Sequence, residues 1–102
     1  MAIIDISIVP IGTETPSVSG YVADIHKVLE KHNGEIKFQL TPMNTIIEGD
    51  LPVLLKVVQE MHEVPFEQGI MRVATTIRID DRRDKKSTME GKLASVNSKL
   101  NK

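Results

Sequence analysis

The stretch that decides the fold is Ile36-Lys37-Phe38-Gln39-Leu40-Thr41-Pro42-Met43-Asn44-Thr45-Ile46-Ile47-Glu48. Ile36, Phe38 and Leu40 alternate with Lys37, Gln39 and Thr41, the period of two of a strand with one buried face. Pro42-Met43 makes a tight turn, and Asn44 to Glu48 reads as the returning strand of a hairpin. With a two-residue turn Lys37 faces Glu48, and a cross-strand ion pair worth under about 1 kcal/mol is expected there.

Helical periodicity flanks this hairpin on both sides. Before it, Val18, Tyr21, Val22, Ile25, Val28 and Leu29 draw one apolar stripe over three to four turns, ending near His32. Thr15 is placed to cap that helix with Pro16 at its first position, and Asn33-Gly34 supplies the left-handed residue that ends it. After the hairpin, Asp50 stands as an N-cap ahead of a stripe of Leu51, Leu54, Leu55, Val58, Met61 and His62. Pro65 lacks an N–H and crowds the carbonyl four residues earlier, so this second helix should kink or finish irregularly before Gly69.

Further outward lie two more alternating segments. Ile4, Ile6 and Ile8 share one face of a strand over residues 3–9, which the prolines and glycine of Pro10 to Pro16 are expected to stop. Val73, Thr75, Ile77 and Ile79 alternate with Arg72, Ala74, Thr76 and Arg78 in a fourth strand ending at the charge run Asp80 to Lys86. Met89, Leu93, Val96 and Leu100 then mark a C-terminal helix.

The order is β-α-β-β-α-β plus a helix, an α+β, ferredoxin-like sandwich with a four-stranded antiparallel sheet. Right-handed crossovers place the first and third strands in the centre and the second and fourth at the edges. The end of strand one, the loop 10–16, the start of helix one, the turn 41–45 and the start of strand four then meet at one end of the sheet. A single domain over residues 1–102 is expected, with its core in 2–80 and a charged connector and terminal helix in 81–102.

Composition narrows the function. Of 102 residues, 31 are Ile, Val, Leu or Phe, enough for one core. With no cysteine, disulfide scaffolds, thiolate metal sites and cysteine nucleophiles are excluded, and a reducing cytoplasm suits the chain. No apolar run is long enough to span a bilayer, and the start Met1-Ala2-Ile3-Ile4-Asp5 lacks the basic segment of a secretion signal, so no membrane partner is expected. A formal net charge of -1 and an aromatic content of 3%, with no aromatic residue in strands one and three, argue against nucleic-acid binding.

Chemistry-bearing motifs are sparse. His26, His32 and His62 do not pair at metal-binding spacing, and no nucleophile elbow, phosphate loop or dinucleotide fingerprint occurs. The chain is therefore read as a non-enzyme without cofactor or metal. Asp80-Asp81-Arg82-Arg83-Asp84-Lys85-Lys86 is read as a solvated connector whose charges partly pair among themselves, the functional alternative being an oligomer contact or an anion clamp by Arg82 or Arg83. The uncovered face of the sheet mixes Asp5, Ser7, Lys37, Gln39, Thr41, Arg72, Thr76 and Arg78 with Ile3, Val9, Ile46 and Ala74. Together with the apolar stripe of the last helix, this points to self-association as a homodimer or homotetramer.

Several segments resemble the small thiamine-binding proteins of the YkoF-like superfamily, long catalogued as of unknown function. They are Pro10-Ile11-Gly12-Thr13, Ser17 to Ala23, Leu40-Thr41-Pro42-Met43-Asn44-Thr45-Ile46-Ile47-Glu48-Gly49 and Thr75 to Lys85. Asn44 stands where a glycine usually follows the Met. The resemblance implies a ferredoxin-like subunit that oligomerises and binds thiamine or its pyrimidine moiety without turning it over. Ser17, Ser19, Thr41, Asn44 and Thr45 are then the candidates for the aminopyrimidine, which needs matched donors and acceptors, and Glu48 is the candidate for the thiazolium cation. A structural or regulatory interaction module without a specific small ligand is the alternative.

Overall fold

The computed structural model describes residues 1–12, 19–84 and 88–100, and the backbone alone of Ser19. The elements run β1 (Ala2–Ile11), α1 (Ser19–Lys31), β2 (Lys37–Leu40), β3 (Thr45–Gly49), α2 (Leu51–Glu67), β4 (Arg72–Asp81) and α3 (Met89–Leu100). The four strands form one antiparallel sheet in the order β2-β3-β1-β4, so the first and third strands are central as expected. The proposed cap Thr15-Pro16 lies outside the described residues.

Alternation decides which face is buried. Ile4 and Ile6 of β1 and Ile47 of β3 point to the helical side and pack with Ile25, Val28 and Leu29 of α1 and Leu54, Val57, Met61 and Val64 of α2. The buried stripe of α2 is rotated from the expected one. Val57 and Val64 lie in the core, whereas Leu55 faces out at 43% exposure.

Three terminations differ from expectation for local reasons. β1 continues through Pro10 to Ile11, paired with Val73 and Arg72 of β4. β3 reaches only as far as Ile6, so beside Pro10 no second ladder requires the missing N–H. Asp50 has the extended backbone of an N-cap and its carbonyl accepts from the Leu54 N–H, but its side chain caps nothing. Pro65 does not derange α2, which ends at Glu67 in a Schellman closure: the Gly69 N–H donates to Phe66 O, the Ile70 N–H donates to Pro65 O, and Gly69 takes a φ of 90°.

α3 occupies the expected residues but packs along no other element. Leu93, Val96 and Leu100 are 57%, 55% and 74% exposed. The Cα radius of gyration is 15.2 Å, against about 13 Å for a compact chain of this length, and the longest dimension is 49 Å. Two ion pairs tie the helix down: Lys37 with Glu90 at 3.5 Å and Asp80 with Lys92 at 2.8 Å.

Candidate functional site

A crevice of about 320 Å³ opens where β3 stops short of the end of β1. Because the sheet is notched there, residues from both faces of β1 line it: Ile6 and Ile8 from one, Ser7 and Val9 from the other. The β2–β3 turn supplies Leu40 to Thr45, and Val22 and Ile25 of α1 with Met61 of α2 supply apolar wall. The volume is at the small end of ligand pockets, room for one substituted ring.

The turn itself is held by Thr41. Its Oγ1 accepts from the N–H of Asn44 at 3.0 Å and of Met43 at 3.3 Å, and lies 2.7 Å from Asn44 Oδ1 and 2.9 Å from Asn44 O. The Thr41 N–H donates to the same carbonyl of Asn44. Thr41 thus spends its hydroxyl on the backbone, as threonines in turns commonly do. The amide N–H groups of the Asn44 side chain have no hydrogen-bond partner among the described residues. The Thr45 hydroxyl has no hydrogen-bond partner among the described residues, and Ser7 makes only a long contact of 3.5 Å to Met43 O. Asn44 and Thr45 therefore bring unspent polar groups to an otherwise apolar crevice, an arrangement suited to a flat ring with a polar edge.

The candidate residues do not all meet here. Thr41, Asn44 and Thr45 line the crevice, Ser17 lies outside the described residues, and the backbone of Ser19 opens α1. Glu48 lies elsewhere. It is the register partner of Ile3, towards the other end of β1 from the Ile6–Val9 lining, and is not among the residues that line the crevice. Ser7 was missed as a lining residue because alternation reads it as an outward-facing position. Only the early end of β3 exposes it to the crevice.

The expected Lys37–Glu48 ion pair is absent, although the two residues are register partners. Lys37, Glu48, Ile3 and Asp80 form one row across the sheet. The ends of the row are clasped by Glu90 and Lys92 of α3, and Glu48 in its middle is 1% exposed with neither carboxylate oxygen hydrogen-bonded.

Elsewhere, charged and polar side chains pair with one another. His32 donates from Nε2 to Glu60 Oε2 at 2.6 Å, joining α1 to α2, and this bond above all holds the Glu60 carboxyl below its ordinary value. In the charged connector Arg82 makes two hydrogen bonds to Asp84 and Arg83 two to Asp81. Among the described residues of the connector, Arg82, Arg83, Asp81 and Asp84 thus pair with one another, while Asp80 pairs with Lys92 of α3. The bond from Arg83 lowers the Asp81 carboxyl, and the bonds to Asp84 and Asp81 raise the two guanidinium groups. Among the described residues no three metal-binding side chains converge, and no helix is long and apolar enough to cross a membrane.

The model of a family described as thiamine-binding protein matches residues 4–97. The chain belongs to the thiamine-binding protein family. A relative in this family, the UPF0045 protein YqgV of Bacillus subtilis, is 64% identical over 102 residues, covering 98% of each chain. A UPF0045 protein of Methanothermobacter thermautotrophicus is 36% identical over 97 residues, 94% of this chain and 96% of that one. Among solved structures, hypothetical protein MJ1052 of Methanocaldococcus jannaschii superposes with a TM-score of 0.83 at 34% identity, over 94% and 95% of the two chains. A Thermotoga maritima protein assigned provisionally to thiamine biosynthesis or salvage shares the fold, with a TM-score of 0.76 at 21% identity over 93% and 97%. This chain therefore shares its small fold with a solved relative at 34% identity.

Proposed function

We propose that this chain binds thiamine, or its pyrimidine moiety, in the crevice beside the β2–β3 turn, as a cytoplasmic homo-oligomer and without catalysing a reaction on it. The observation that carries this reading is the convergence of the unspent Asn44 amide and Thr45 hydroxyl on a wall of Ile6, Ile8, Val22 and Ile25. An aminopyrimidine has two apolar faces and an edge of alternating donors and acceptors, and such a lining matches both. The family's description and the Thermotoga relative's assignment agree with it. Ser17 and Ser19 border the start of α1 and are proposed as further polar contacts. Thr41 acts indirectly by shaping the turn, and Glu48 is set aside because it does not line the crevice. Self-association is supported by the uncovered apolar stripe of α3.

That stripe also favours the second reading, an interaction module whose contact face is its function. Thermal melts with thiamine and with hydroxymethylpyrimidine separate the two. The binding reading expects both to raise Tm of the unaltered chain by several degrees, and a Thr45→Val variant to lose most of that shift. No shift with either compound leaves the interaction module in place.

A further inference from the structure

The crevice has an apolar rim that stands in water. Val9, Val22, Leu40 and Met43 all line it, and all four are exposed. Met43 differs from the other three in two ways. It lies in the β2–β3 turn, where Thr41 Oγ1 accepts from its N–H at 3.3 Å, so its backbone is held while its unbranched side chain, 86% exposed, is free to fold over a ring in the crevice. It also carries a thioether, a polarizable group that packs well against aromatic rings and, unlike the hydrocarbon side chains beside it, is readily oxidised.

With no cysteine in the chain, its five methionine sulfurs are the groups most open to a peroxide. Met61, also in the crevice wall, is 1% exposed and shielded, whereas Met43 and Met71 are 86% and 90% exposed. Of that exposed pair, Met43 lines the crevice and Met71 does not. The sulfur lone pair attacks one oxygen of hydrogen peroxide: an S–O bond forms as the O–O bond breaks, sulfur gives up two electrons, and the other oxygen leaves as water with the proton of the first. The product puts a strong hydrogen-bond acceptor on an apolar rim. The sulfoxide must then be desolvated for a ring to be covered, and its oxygen competes with the ligand for the unspent Asn44 amide.

We infer that Met43 is a modification site that switches the crevice: the thioether holds a ring, and oxidation by a hydroperoxide to the sulfoxide releases it. Methionine sulfoxide reductases reverse the change, two thiols being oxidised to a disulfide while the oxygen leaves as water. The inference rests on the crevice being the ring site proposed above, and adds how that site is regulated and by which class of reactant.

The test treats the full-length chain with hydrogen peroxide, maps added oxygen by peptide mass spectrometry, and titrates thiamine before and after. Met43 and Met71 should each gain one oxygen while Met61 stays reduced, and thiamine affinity should fall about tenfold or more. Repair by methionine sulfoxide reductases of both stereospecificities with dithiothreitol should restore it. Met71→Leu should lose affinity on oxidation as the unaltered chain does. Met43→Leu, similar in volume, should bind within about threefold of the unaltered chain and keep that affinity after peroxide. Undiminished binding by protein oxidised at Met43, an equal loss in peroxide-treated Met43→Leu, or a Met43 that stays reduced while Met71 is oxidised overturns the switch and leaves the crevice as a binding site. An untreated chain that binds no thiamine overturns both.

Discussion

Lys37 and Glu48 sit directly opposite one another on β2 and β3 yet do not pair: the lysine reaches Glu90 on α3, and the glutamate is buried with both oxygens unmatched. Burying a polar group without hydrogen bonds costs stability, by about 1–3 kcal/mol on mutational scales. Glu48→Met, close in volume and apolar, should therefore raise the free energy of unfolding by about that amount in urea titrations. Since Glu48 does not line the crevice, the same variant should keep its thiamine affinity within about twofold. A loss of affinity with the fold intact would return Glu48 to the site.

The His32–Glu60 bond predicts a pH dependence with a definite sign. The Glu60 carboxyl is lowered in the folded chain, chiefly by the hydrogen bond from His32. Its contribution is therefore complete above the ordinary glutamate range and fades as pH falls through that range towards the folded value. Glu60 is partly exposed, so the effect should be under about 1 kcal/mol. Glu60→Gln should lower stability slightly at neutral pH and flatten the fall of stability on acidification, as read by urea midpoints between about pH 6 and 3.

The rotation of α2 is testable with neighbouring leucines. Leu54 is fully buried and Leu55 is 43% exposed. Leu54→Ala should cost about 2–5 kcal/mol, the range for deleting a core leucine, and Leu55→Ala under about 1 kcal/mol. Equal costs would contradict the assignment of the buried face.

Thr41 is expected to matter for the turn more than for direct contact. Thr41→Val removes the acceptor for the Met43 and Asn44 N–H groups and should lower stability by about 1 kcal/mol. It should weaken ligand binding as well, because Asn44 is no longer held. Restoring the acceptor with Thr41→Ser should recover both stability and binding.

The fold was legible because period-two and helical patterns repeat cleanly around the 36–48 hairpin. The element order and the central placement of β1 and β3 follow from that. What alternation could not convey was position along a strand. The early end of β3 opens the crevice, brings Ser7 to it and lets β1 run on through Pro10, yet no single residue announces it. The stripe of α2 was misjudged because Leu55 and Val57 are equally apolar, and only packing against both α1 and the sheet chooses between them. Glu48 was paired with Lys37 correctly in register but wrongly in contact, since the competing Glu90 arrives from a helix more than fifty residues away in the chain. Thr41, Asn44 and Thr45, named from turn chemistry and resemblance together, all line the crevice beside the β2–β3 turn.

The measurement that bears most directly on the central claim is a calorimetric titration of full-length, ligand-free protein with thiamine, repeated on Asn44→Ala and Thr45→Val. The account predicts saturable binding to the unaltered chain, competition by hydroxymethylpyrimidine, and affinity at least tenfold weaker in both variants while their melting temperatures without ligand stay within a few degrees. Absence of heat and of competition with the unaltered chain, or undiminished affinity in both variants, would contradict it.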